Sequence, residues 1–175
     1  LFRSNKRIDA IKDSEGAIGC GKSHIKSLKN AKKNNLDYVI IMEDDIEIKK
    51  NKIEKYFNII QNMKKWDVII LSGHGEKTPY NNYLSKATGV QTTGMYIIKK
   101  HYYDSLIDNF NESVDNMVNL KNKNKDIRRS KWAIDMNWKK LQKKDNWYIF
   151  NENLGVQRPG YSDIEKTNVN YDMIV

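Results

Sequence analysis

The stretch 38–45, Tyr-Val-Ile-Ile-Met-Glu-Asp-Asp, constrains the fold of this chain more than any other. Five apolar or aromatic residues run directly into three carboxylates. The apolar part is too short for a globular helix and rich in β-branched residues, so the pattern predicts a buried strand. Glu43, Asp44 and Asp45 then fall at or just past its carboxyl end, where open α/β sheets bind ligands. Three adjacent carboxylates repel one another and stay ionised together most readily beside water or a cation. A hard divalent ion, Mn²⁺ or Mg²⁺, would satisfy them, because it takes one or two protein carboxylates and leaves positions open for phosphate oxygens. An acidic turn after a strand is the competing reading, and the triplet alone does not choose between them.

The flanking segments supply helices for such a strand. Residues 16–34 carry Ile18, Ile25, Leu28 and Ala31 at helical spacing, with lysines on the other face. Residues 51–66 repeat the pattern with Ile53, Tyr56, Phe57, Ile60 and Met63. A second buried strand is predicted at 67–71, ending in Ser-Gly-His-Gly at 72–75. This α–β–α–β order predicts parallel strands joined by crossover helices, an α/β fold with a mostly parallel central sheet. Beyond it, 76–82 reads as a loop, 83–90 and 95–98 as strands, 101–110 as a short helix, 131–143 as a helix and 147–150 as a strand. The polar, basic stretch 111–130 reads as exposed and mobile. The tail from 151 shows no periodicity. No repeat or linker divides the chain, so we expect one domain over 1–175, with 15–110 as its ligand-binding part and 111–175 as a second side and tail.

At 175 residues, with 39% hydrophobic content, the chain can build a core and is not a disordered segment. No apolar run approaches the roughly 20 residues that span a bilayer. The start, at Leu1 rather than Met and too polar for a signal peptide, reads as a fragment or trimmed chain. The compartment stays open. Cys20 is the only cysteine, so no intrachain disulfide forms. The net charge of +9 favours anionic partners. However, Lys, Asn and Ile abound even on plain helix surfaces, as an A/T-rich coding bias produces, and the charge is discounted on that ground.

Further candidates stand outside the triplet. Gly19, at a helix start, can let backbone N–H groups approach an anion, or can simply serve packing. His24 reads as a packed histidine and His74, in a glycine-flanked loop, as a better candidate for chemistry. Asp135, beside Trp132 and Trp138, is either a helix-surface acid or a base facing an attacking hydroxyl. Asp163 either completes a metal shell or is a tail residue. Cys20 reads as a small buried hydrophobe.

The order of motifs resembles glycosyltransferase family 25, which includes bacterial lipooligosaccharide and procollagen galactosyltransferases. Gly-Ala-Ile-Gly-Cys-x-x-Ser-His at 16–24 is followed by Glu-Asp-Asp at 43–45, Asp-Val-Ile-Ile-Leu-Ser at 67–72, Thr-Gly-Met-Tyr-Ile-Ile at 93–98, Ala-Ile-Asp at 133–135 and Tyr-Ser-Asp at 161–163. The resemblance implies a GT-A-like fold, a UDP-galactose or UDP-glucose donor, a divalent metal and an inverting transfer to a glycan or collagen-like hydroxylysine. It implies Glu43 and Asp45 as metal ligands, joined by Asp163. Asp44, Gly19, Ser23, His24, Thr93 and Gly94 would lie along the donor, with Asp135 as the base. Two departures stand out. Residues 1–13 carry at most the trailing part of the family's opening strand and nucleotide-holding segment, so the fold is expected to lack its first strand. Gly-Lys at 21–22 also replaces an apolar pair. The rival readings are a basic nucleic-acid-binding module, with 121–129 its only basic cluster and no reader motif, a carboxylate-metal phosphohydrolase, and a degenerate, inactive sugar-nucleotide-binding domain.

Overall fold

The computed structural model describes residues 6–128 and 130–170. Its scaffold is a four-stranded sheet between two helical layers. Strand β1 (Tyr38–Met42), β3 (Val68–Pro79), β4 (Leu84–Lys99) and β5 (Trp147–Phe150) pair in the order β1-β4-β3-β5, and β4 also reaches β5. One layer holds α1 (Gly16–Lys33) and α3 (Tyr103–Asn122), and the other holds α2 (Ile53–Asn62).

Strand alternation assigns the two faces. Val68, Ile70, Tyr96 and Ile98 point towards the layer of Ile18, Leu28 and Phe110, while Ile69, Leu71, Met95 and Ile97 point towards Tyr56, Phe57 and Ile60. Both sheet faces are covered, which is why the central strands read as unbroken apolar runs. Each of the large buried apolar side chains contributes about 1.5–3 kcal/mol by leaving water.

The sheet is mostly antiparallel, which corrects the expected parallel one. β4 is antiparallel to both β1 and β3, and only β3 and β5 are paired in parallel. The crossover through α2 does join two strands of the same direction, β1 and β3. The chain then turns back as a hairpin and lays β4 between them. Reading 83–90 and 95–98 as separate strands, and 76–82 as a loop, concealed that one long strand returns along β3. β1 is consequently an edge strand rather than a buried one. Ile41 is buried, but Tyr38 and Met42 are about half exposed.

Other expectations shift in similar ways. The stretch 111–130, expected to be mobile, begins with the last twelve residues of α3, because Val114 and Met117 continue the buried stripe of Leu106, Ile107 and Phe110. The helix at 131–143 is two short pieces, α4 (Ile134–Asn137) and α5 (Lys139–Gln142), meeting at the fully buried Trp138. The tail forms strands β6 (Gly155–Gln157), β7 (Gly160–Ser162) and β8 (Thr167–Val169). β6 pairs with β2 (Ile46–Ile48), and β7 with β8. The expectation of a missing first strand falls partly on residues 1–5, which lie outside the described residues, as does Arg129 of the basic cluster. Residues 6–15 form no strand.

Candidate functional site

The end of β1 is held against the middle of β4. The Glu43 N–H donates to the Gly94 carbonyl at 2.9 Å, which carries the ladder one residue past the last paired strand position. The chain then turns at Asp44–Asp45 into β2, whose Ile46 occupies the space a side chain at Gly94 or Gly155 would need. A Cβ at those glycines would lie 2.7 Å and 2.6 Å from Ile46 carbons. The acidic turn is therefore wedged between β4 and the C-terminal strand β6.

Each carboxylate of the trio has a different environment. Glu43 Oε1 accepts from the Thr93 hydroxyl at 2.8 Å and lies 3.3 Å from His24 Nε2. A carboxylate can only accept, so His24 donates through Nε2, and in the neutral ring Nδ1 accepts from the Tyr96 hydroxyl at 2.9 Å. Burial pushes the Glu43 pKa up, but the His24 and Thr93 bonds outweigh it and hold the group below its ordinary value. Asp44 is exposed, and its backbone carbonyl accepts from Arg158 Nη2 at 2.9 Å. Asp45 Oδ2 accepts from Gln157 Nε2 at 2.6 Å, while Oδ1 is buried with no partner. Burial raises the Asp45 pKa, and the nearby Glu43 and Asp44 charges add to the rise against the Gln157 bond. Among the described residues, no lysine or arginine side chain forms an ion pair with any of the three carboxylates.

Asp135 approaches from α4. Its Oδ2 accepts the Thr92 N–H at 3.1 Å, and Thr92 has φ +83°, a conformation rare for a β-branched residue. Burial raises the Asp135 pKa and the Glu43 charge adds to this, so the two carboxylates sense each other. A strained residue binding a partly buried acid next to a carboxylate cluster is the kind of arrangement that collects at functional sites.

The remaining predicted residues divide. Thr93 and Gly94 adjoin the trio directly. His24 touches it through Glu43, and Cys20, His24 and Glu43 form the one group of three possible metal-ligand side chains within 4.8 Å of one another among the described residues. Asp163 does not join Glu43 and Asp45 in such a group. It is exposed after β7, and its backbone carbonyl would lie 2.6 Å from a Cβ at Gly16. Gly19 and Ser23 serve the segment before α1: a Cβ at Gly19 would meet the Ile11 carbonyl at 2.7 Å, and the Ser23 hydroxyl accepts the Ile11 N–H and donates to the Gly19 carbonyl. The residues to which sequence reading gave no role are Thr92 and Gln157, while Tyr96 stood in the motif at 93–98 without one. Nothing in the spacing of Thr92 and Gln157 marks them, since each matters through a partner distant in sequence. An open groove of about 1040 Å³, lined by α2, Tyr80, Tyr83 and Tyr148, contains no member of the trio.

The donor set suits a hard divalent cation. The unpartnered buried Asp45 oxygen and the second oxygen of an ionised Glu43 belong to residues two positions apart, and among the described residues neither carboxylate is paired with a lysine or arginine. Oxygen ligands with water-accessible neighbours match Mn²⁺ or Mg²⁺ better than the softer ions that a thiol attracts. Burial, reinforced by the nearby carboxylates, keeps the Cys20 thiol well above its usual pKa and therefore protonated.

No helix among the described residues is long and apolar enough to cross a membrane. Comparison with curated proteins finds no match. A sequence model described as glycosyltransferase family 25 (LPS biosynthesis protein) matches residues 5–124, which includes α1, the acidic turn and the Thr93–Gly94 corner of the site and stops short of Asp135 and Gln157. The match takes in well over half of the chain, and the protein belongs to glycosyltransferase family 25.

Proposed function

We propose that this glycosyltransferase uses a divalent metal to move galactose or glucose from a UDP-sugar to an acceptor hydroxyl on a glycan or a collagen-like protein. The observation that carries the reading is Asp45: one oxygen anchored by Gln157, the other buried without a partner, beside a carboxylate held ionised by His24 and Thr93. A buried polar atom without a partner is costly unless a ligand satisfies it. Glu43 and Asp45 would hold Mn²⁺ or Mg²⁺, with Asp163 as a third ligand after movement of the tail. The bound ion would supply Lewis-acid stabilisation of the negative charge that develops on the departing diphosphate.

The protein's own groups do the remaining work. His24 and Tyr96 orient Glu43 from inside the core. Asp44, exposed at the tip of the turn, is available to the donor's sugar or ribose. Thr93 and Gly94 line the approach of the nucleotide, and Gly19 and Ser23 act behind them by fixing the segment before α1. Asp135, with a raised pKa and one oxygen fixed by the Thr92 N–H, takes the proton of the attacking hydroxyl. One direct displacement inverts the anomeric centre. In this reading 15–110 handles donor and metal, and 111–175 contributes the base and the acceptor side, in a GT-A-like arrangement.

The test is release of UDP from UDP-galactose or UDP-glucose with and without Mn²⁺, in wild type and Asp45→Asn. Loss of turnover in the variant and after chelation supports the reading. Equal turnover in all four conditions overturns the metal assignment. Wild-type protein that binds nucleotide sugar without turnover is instead a degenerate binding domain. The nucleic-acid alternative draws less support, because Lys121 and Arg128 are engaged internally by Asp13 and Asp126.

A further inference from the structure

We propose that His74 is a positioning residue for Asp135, acting through the strained Thr92; the inference rests on the reading of Asp135 as the base. The β3–β4 ladder slips between Ser72 and His74, and a bulge of this kind re-aims side chains. Here it sets His74 opposite Gln91 and turns its ring towards Thr92.

The hydrogen bonds determine where the ring proton sits. Lys139 Nζ has only donors and lies 2.9 Å from Gln91 Oε1, which fixes the orientation of that amide. The Gln91 NH₂ then faces His74 Nε2 at 2.9 Å. An amide NH₂ donates and does not accept, so Nε2 is the acceptor and the proton lies on Nδ1. From there it is donated to the Thr92 hydroxyl at 3.3 Å. Adding a second proton at Nε2 would set N–H against N–H. The charged groups facing the ring are Asp135 of α4 and Lys139 of α5; burial and Lys139 lower the His74 pKa against the opposing pull of Asp135.

Thr92 is thereby gripped twice. His74 holds its side chain, Asp135 accepts its N–H, and the backbone stays at φ +83°. Upstream, the Val90 N–H and carbonyl are taken by the Gln142 side chain, and the carbonyl also by the Trp138 indole, so the strand before Thr92 is held in place. Without the His74 clamp, Thr92 relaxes to negative φ, its N–H turns away and Asp135 loses its fixed oxygen.

The experiment measures kcat, KM for the donor and the pH dependence of kcat in wild type, His74→Ala, His74→Asn, His74→Gln and Asp135→Asn. Asn places an N–H donor near the Nδ1 position, whereas Gln places its amide near Nε2. We expect His74→Ala and His74→Gln to lose about tenfold to a hundredfold in kcat with donor KM unchanged. His74→Asn should recover most of the rate and lose the part of the acid limb that comes from His74 protonation. Wild-type kcat in His74→Ala, or equal losses in the Asn and Gln variants, overturns the positioning role. Wild-type turnover in Asp135→Asn removes the base assignment itself, and the inference with it. An inactive Asp135→Asn beside a fully active His74→Ala removes the inference alone.

Discussion

Asp13 and Asp45 are both partly buried carboxylates on the same small domain, and they are treated in opposite ways. Asp13, just before α1, accepts from Lys22 at 2.7 Å, Lys121 at 3.3 Å and the Glu15 N–H at 3.2 Å. The Lys22 bond leads a set of interactions that hold its carboxyl well below the usual range. Asp45 receives one amide and no cation, has an oxygen with no partner and is pushed upwards by burial. The chain carries 31 Lys and Arg against 22 Asp and Glu, so cations are plentiful. Arg158 reaches this turn but binds the Asp44 backbone carbonyl, and among the described residues no lysine or arginine pairs with the carboxylates of 43–45. A carboxylate that ties the structure together is saturated by the protein, and the shortage of partners at Asp45 is what the proposed metal role rests on.

The sharpest way to break this contrast is a matched pair of substitutions. Asp45→Asn should reduce sugar transfer by about 10³-fold, as expected when a group stabilising transition-state charge is lost, while Asp13→Asn leaves kcat within about twofold. Equal losses would erase the distinction. Next, Gln157→Leu frees the second Asp45 oxygen and should raise the Mn²⁺ concentration for half-maximal activity about tenfold, the lower end of what an outer-shell partner contributes. An unchanged metal response would show that Gln157 only packs.

The stability arm runs the other way. Asp13→Asn should cost about 1–2 kcal/mol, seen as a lowered melting temperature, because charge-assisted bonds joining the N-terminal segment to α1 and α3 are weakened. The pH dependence follows from the sign of the shift. The folded Asp13 pKa lies below its ordinary value of 3.8, so its stabilisation is present above that value and is lost as pH falls through the lower folded pKa. Acid unfolding of Asp13→Asn should therefore show a shallower loss of stability below pH about 4 than the wild type. The smallest effect is expected for Lys121→Met. Its side chain is 39% exposed and its pair with Asp13 is backed up by Lys22, so the cost should stay under about 0.5 kcal/mol.

The residues of the candidate site were largely legible along the chain, and their connections were not. An apolar run ending in three acids, glycine and Ser-His at a helix start, and Thr-Gly opening a strand all mark local positions, and β1, α1 and β4 place Glu43, His24, Thr93 and Gly94 side by side. Gln157 lies in a tail without periodicity, and only the β2–β6 pairing shows that it reaches Asp45. Thr92 looks like any residue of a strand until its φ and its bond to Asp135 are seen.

What the residue order determined alone is the α/β class, the two-sided burial of the central strands and the position of the acidic turn at a strand end, because hydrophobic period and composition act over a few residues. Strand direction was decided by tertiary structure. A return hairpin and a crossover present the same local pattern, and only the packing of β4 between β1 and β3 separates them. The same holds for the site: whether a carboxylate is neutralised, left unpartnered or pushed up in pKa depends on groups far away in the chain, which only the folded structure brings within a few ångströms.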